Sequence, residues 1–143
     1  MVEAGIGERE RALAKAPLFA GLSKRHRRRI ARESGVATYD QGATVVKEGA
    51  AGSVFYVVLD GKAKVIRKGR ILARLSKGDF FGEMSLLDRG PRTASVITES
   101  PAAFLTLSAR AFHQVMDAEP AVASAVLREM ARRLRQKDHQ LVE

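Results

Sequence analysis

Residues 81–96 read FGEMSLLDRGPRTASV: a glycine and a carboxylate stand ahead of a short helix-forming run, and an arginine follows the carboxylate nine positions later. These residue types pull in opposite directions. Free amides at a helix start and a guanidinium attract an anion, while a carboxylate at the same mouth repels one. A site for bare phosphate gains nothing from Glu83. A carboxylate only accepts hydrogen bonds, so its natural partner is a hydroxyl. A ribose hydroxyl next to a ring phosphate satisfies Glu83 and Arg92 together. Gly82 has no Cβ and lets a ligand approach the backbone. Met84 and Ser85 continue a helix of one or two turns whose first amides, at 83–85, point toward the glycine turn, and Ser85 adds a hydroxyl donor. Arg92, held by the stiff Gly90-Pro91 step into the next strand, closes over the anion with a planar, two-pronged donor. Taken singly, Glu83 reads as a cap or ion-pair partner and Arg92 as a surface arginine. Their spacing and strand context point to a ligand.

The rest of the chain offers little competing chemistry. There is no cysteine, which excludes disulfides, thiolate metal sites and cysteine nucleophiles. His26, His113 and His139 are scattered and lack metal-ligand spacing. No nucleophile–histidine–acid pattern stands out, and no glycine-rich phosphate loop ending in Lys-Ser or Lys-Thr occurs. Binding is therefore expected, without catalysis and without a metal or cofactor. The opening MVEAGIGERE lacks the apolar core of a signal peptide. No apolar run approaches the roughly 18 residues of a membrane-spanning helix, so a soluble cytoplasmic protein is expected. The formal charge of +9 invites a polyanion. Much of it lies in KRHRRR (24–29) and REMARRLRQK (128–137), which read first as solvated helix faces and, as the alternative, as a surface for nucleic acid, anionic lipid or an acidic partner. Ser23 reads as an N-cap, so KRHRRR crowds cations where the macrodipole disfavours them.

A length of 143 residues fits one domain, of α+β class and mainly β. Helices are expected over 8–34, a β-roll over 36–107 enclosing 81–93, and helices again over 109–139. ERERALAKA (8–16) is helix-friendly and Pro17 ends it. Leu18, Phe19 and Leu22 lead into a second helix over 24–34 with Ile30 and Ala31 inward. From Val36 the segments VATYD, TVVKEG, SVFYVVL, KAKVIR, RILARL, TASVIT and AAFLTL are short and β-prone. Turn signals separate them at Gln41-Gly42, Gly49 to Gly52, Asp60-Gly61, Lys68-Gly69 and Lys77-Gly78. Asp60-Gly61 is the sharpest hairpin signal. Ile71, Ala73 and Leu75 alternate with Arg70 and Arg74 as a half-buried strand should. Such a series of strands suggests an antiparallel barrel or jelly roll. Phe80 and Phe81 read as core, and the glycines at 42, 49, 52 and 61 as turn punctuation. Helical periodicity returns in SARAFHQVMDAEP and from Ala121 to about Lys137, where Val122, Val126, Met130 and Leu134 make a stripe.

PLFAGLS, YDQGATVVKEGAAGSVFYVVLDG and LSKGDFFGEMSLLDRGPRTASV follow one another in the order seen in a known family. In these stretches the chain resembles the cyclic nucleotide-binding domains of Crp-type bacterial regulators, kinase regulatory subunits and gated channels. The last stretch resembles their phosphate-binding cassette. The resemblance implies a jelly-roll β-sandwich flanked by helices, with Gly82 and Glu83 at the ribose, Met84 and Ser85 near the phosphate and Arg92 paired with it. Thr93 then supplies a hydroxyl for phosphate or purine, which makes cGMP acceptable. The last long helix is commonly a lid over the base. Where Crp-type regulators place adjacent hydroxyl residues, this chain has Lys137 and Asp138, with Arg132, Arg133 and Arg135 as undecided substitutes. The implied function is a non-enzymatic sensor of cAMP or cGMP that signals by moving its C-terminal helix; the alternative is a basic nucleic-acid-binding or protein-interaction module on the same fold. With Glu143 leaving no room for a helix-turn-helix module, the signal is expected to pass to an effector protein, to a homodimer partner through that helix, or within a parent protein.

Overall fold

The computed structural model describes residues 4–88 and 90–142, with side chains of the last helix described as far as Lys137. Three helices come first: α1 (Ile6–Leu13), α2 (Pro17–Ala20) and α3 (Lys24–Glu33). Strands β1 (Gly35–Tyr39), β2 (Thr44–Val46), β3 (Val54–Asp60), β4 (Ala63–Arg67), β5 (Arg70–Leu75) and β6 (Phe80–Phe81) precede a 3-10 helix, Glu83–Leu86. The chain then forms β7 (Ser95–Thr98), β8 (Ala102–Ser108), α4 (Ala109–Ala118) and α5 (Pro120–Val142). The strands make two antiparallel sheets, ordered β1-β8-β3-β6 and β2-β7-β4-β5. This is the jelly roll expected, of α+β class and mainly β.

The first sheet is covered on both faces, which is why β3 and β8 are apolar almost throughout. Successive side chains of a strand point to opposite faces. Phe55, Val57 and Leu59 of β3 and Ala103, Leu105 and Leu107 of β8 pack against the helices. Tyr56, Val58 and Phe104 face the second sheet, where they meet Ala63 and Val96. Phe19 of α2 centres the helical side, with its ring 5.4 Å from those of both Phe55 and Phe112. The helices thus hold the outer face of one sheet, and the sandwich interior opens toward the 3-10 helix.

Local signals misplace four details. Asp60-Gly61 is not a hairpin, because β3 and β4 belong to different sheets. Gly61, at φ +88, carries the chain across the sandwich where a Cβ would lie 2.3 Å from the Pro101 carbonyl oxygen. A turn dipeptide does not state which sheet its next strand will join. The two-residue hairpin lies at Lys68-Gly69 (φ 50 and 77) between β4 and β5. Strand β5 also lacks the expected inner face: Ile71, Leu72 and Ala73 are exposed and only Leu75 is half-buried. Its register shifts against β4, and it ends its sheet, so nothing lies over those side chains. Third, α1 stops at Leu13, and Pro17 begins α2, at the first helical position where its missing N–H costs nothing.

The stripe on α5 is the fourth. It divides: Val122 and Val126 are core, Met130 is half-buried and Leu134 is exposed. The helix itself continues beyond the expected 137–139. Ser23 does cap α3, its hydroxyl accepting from the His26 amide at 3.1 Å. Three residues of the KRHRRR run have carboxylates beside them. Arg27 pairs with buried Glu10 at 2.7 Å, and Arg25 and His26 lie near Glu119. Among the described residues no helix is long and apolar enough to cross a membrane.

Candidate functional site

Gly82 is the hinge of the site. Its φ of +80 places it in the left-handed region, and a Cβ there would stand 2.5 Å from Arg92 Nη1 and 2.9 Å from the Val54 carbonyl oxygen. The chain leaves β6 through this glycine into the 3-10 helix Glu83–Leu86. Leu86 is fully buried, and His113 Nε2 of α4 donates to its carbonyl at 2.8 Å, so the helix is pinned from below. The expected anion site at the amides of 83–85 is partly taken. Ser85 N–H already donates to the Gly82 carbonyl at 3.0 Å, while the tight helix start gives Glu83 and Met84 no intrahelical acceptor.

Arg92 is held by backbone before its side chain is considered. Its N–H donates to the Ala50 carbonyl and its carbonyl accepts from the Gly49 amide, both at 2.8 Å. Pro91 bridges to Ala51. The guanidinium then reaches inward: Nη1 donates to Ser85 Oγ at 2.9 Å and Nη2 to the Val54 carbonyl at 2.7 Å. Its carbon lies 6.0 Å from the centre of the Tyr56 ring. Burial pulls the Arg92 pKa down from its ordinary value, and burial chiefly pushes that of Tyr56 up. Gly52, read above as mere punctuation, proves to be spatially required. A Cβ there would fall 1.9 Å from Arg92 Nε.

Glu83 faces the last helix. Arg133 Nη2 donates to Glu83 Oε1 at 2.6 Å, and Arg133 Nε donates to Glu129 Oε2 at 2.7 Å. Of the three arginines left undecided, Arg133 is thus the one that reaches the cassette. Arg132 stays on α5 with Glu129, and Arg135 and Lys137 are exposed. The side chains of Asp138 and His139 lie outside the described residues. Burial opposes the Arg133 charge, yet its hydrogen bonds to Glu129 and Glu83 outweigh that and raise its pKa.

All six residues singled out from the sequence, Gly82, Glu83, Met84, Ser85, Arg92 and Thr93, line one cavity of about 360 Å³, within the range of small-molecule sites. Of these six, Met84 and Thr93 are exposed. Its apolar wall comes from Val46, Val65, Phe81 and Val96 of the sandwich interior. No local pattern marks these as site residues, because each reads as an ordinary inward strand position. Phe81, expected as core, stacks on Tyr56 at 4.8 Å and also borders the cavity. Two clefts elsewhere are larger. Among the described residues, though, just two buried side-chain atoms have no hydrogen-bond partner, Glu83 Oε2 and Arg92 Nε. An acceptor and a cationic donor therefore stand unpartnered on residues of the same cavity. Among the described residues no group of His, Asp and Glu could hold a metal.

Comparison with known proteins points to one family. The family model described as the cyclic nucleotide-binding domain matches residues 36–119. The cAMP-dependent protein kinase regulatory subunit of Schizosaccharomyces pombe is 31% identical over 108 residues, which is 75% of this chain and 26% of that protein. The CRP-like cAMP-activated global transcriptional regulator of Mycobacterium tuberculosis is 30% identical over 136 residues, 92% of this chain and 61% of that protein. The chain thus spans about a quarter to three fifths of these relatives. The N-terminal domain of a transcriptional regulator from Streptomyces coelicolor A3(2) superposes with a TM-score of 0.84 at 34% identity, covering 91% of this chain and 94% of that one. On the strength of both the match and the cassette, the chain belongs to the cyclic nucleotide-binding domain family.

Proposed function

We propose that this chain is a non-enzymatic sensor of a cyclic nucleotide, cAMP before cGMP, and that it reports occupancy through α5. The observation that carries the reading is the pair of unpartnered buried atoms, Glu83 Oε2 and Arg92 Nε. A ribose hydroxyl donates to the first. The cyclic phosphate is met by the Arg92 guanidinium and the Ser85 hydroxyl, with the amides of Glu83 and Met84 at hand and Gly82 leaving room at the sugar. Met84 and Thr93 border the opening. Two relatives whose names specify cAMP support that base first, and Thr93 keeps cGMP acceptable.

Glu83 links this chemistry to motion. One carboxylate oxygen takes the ligand while the other is held by Arg133 of α5. Filling the pocket changes the strength of that bond and so biases the position of the helix. The ligand shifts the equilibrium only by its difference in affinity for the two positions. Leu127 and Leu134, seven residues apart on α5 and exposed at 70% and 62%, offer the face through which an effector or a second copy receives the signal. Calorimetry with cAMP, cGMP and linear 5′-AMP tests the reading. Binding of a cyclic nucleotide well above 5′-AMP is expected. Equal affinity for the linear compound, or no binding of either cyclic one, overturns it.

A further inference from the structure

Between Gly61 and Gly78 the chain carries seven lysines and arginines and no acidic residue. The β4–β5 hairpin holds most of them, and its register sets like charges against each other: Lys64 faces Arg74, and Arg67 faces Arg70. Directly opposed like charges destabilise an antiparallel pair. Glu99 relieves Arg74 at 3.2 Å. Among the described residues no other cation of this segment makes an ion pair. Strand β5 also bares Ile71 and Leu72, 47% and 52% exposed. It ends its sheet, and among the described residues no strand pairs with its far edge.

Three unmet demands therefore meet on six residues: an open row of backbone donors and acceptors, uncompensated positive charge, and bare aliphatic surface. A nucleic acid answers only the charge. An anionic bilayer answers the charge and the aliphatic groups but offers the backbone no partner strand. A second copy of β5 answers the edge while setting cations against cations, the device by which edge strands avoid one another. An extended acidic segment with interleaved aliphatic residues answers all three at once. We propose that β5 is a docking edge for such a segment of a partner protein, which adds to the sheet β2-β7-β4-β5 as a fifth strand. Arg70, Ile71, Leu72 and Arg74 do not line the nucleotide cavity, so this proposal and the ligand reading fail independently.

The probe is an alternating Glu–Val octapeptide, followed by fluorescence anisotropy and amide hydrogen exchange. It is expected to slow exchange along β5, and to bind at least about tenfold more weakly to the Arg70→Glu/Arg74→Glu variant. On the unaltered protein, the same peptide N-methylated at every residue is expected to lose binding, since it keeps the charge and lacks the strand donors on both of its edges. Equal binding of the methylated peptide, or protection that does not fall on β5, overturns strand addition. Preferential binding of a thymidine oligonucleotide or of phosphatidylglycerol vesicles at the same arginines assigns the surface to a polyanion or a bilayer, and overturns the proposal as well.

Discussion

Two of the three guanidinium nitrogens of Arg92 are already bonded, to Ser85 and to the Val54 carbonyl, and the third is buried without a partner. Such a group is set in place ahead of its ligand and loses little freedom on binding. Replacing it with alanine removes the main cation of the cavity. Arg92→Ala is expected to weaken cAMP binding by about 2–5 kcal/mol, the range for truncating one partner of a buried charge pair. Calorimetry measures it, and unchanged affinity would remove Arg92 from the site. Arg92→Lys is expected to recover only part of that affinity, because an ammonium cannot reproduce the planar fork. Gly52 makes a sharper case, since it touches no ligand in the reading above. Gly52→Ala must displace the guanidinium, and a loss of at least about tenfold in cAMP affinity is expected. Gly21→Ala, where a Cβ meets nothing within 4 Å, serves as the control with affinity unchanged.

At the scale of elements, the contact that matters is between the 3-10 helix and α5, through Glu83, Arg133 and Glu129. Arg133→Ala cuts it without touching the core. Faster amide exchange in α5 beyond Met130 is expected, with a modest fall in the midpoint of global unfolding. Protection equal to that of the parent would show that apolar packing alone holds the helix. The clasp also has a pH signature. Hydrogen bonding from Arg132 first, and from Arg133, holds the Glu129 carboxyl down from its ordinary 4.5 to about 2 against the opposing effect of burial. A carboxyl with a lowered pKa when folded stabilises the fold fully above its unfolded value and loses that contribution as pH falls through the folded one. Thermal unfolding followed from about pH 5 down to about pH 2 should show this loss, and Glu129→Gln should flatten that part of the profile.

At the scale of the whole molecule, one sheet carries both cores and the other is covered on one face. Phe55 lies where β3 meets the helices, fully buried and in ring contact with Phe19 and Phe80. Phe55→Ala is expected to destabilise the fold by about 3–5 kcal/mol, read as a lower urea midpoint at unchanged slope. A smaller loss would mean that the helical layer collapses into the vacated space.

Much of this architecture is written in local patterns. The short β-prone segments and the turn signals between them announce an antiparallel barrel or jelly roll. Ser23 announces the start of α3, and 81–93 announces a pocket, because a carboxylate and an arginine at that spacing demand a ligand with a hydroxyl and an anion. Those features depend on neighbours a few residues away, which the chain itself supplies. Other features required partners more than thirty residues distant. The joining of β3 to β4 across the sandwich, the bareness of β5, the space that Gly52 leaves for Arg92, and the choice of Arg133 among three arginines were decided by packing between layers. Periodicity states which face of an element is apolar, and only the assembled sheets and helices state what, if anything, comes to lie against it.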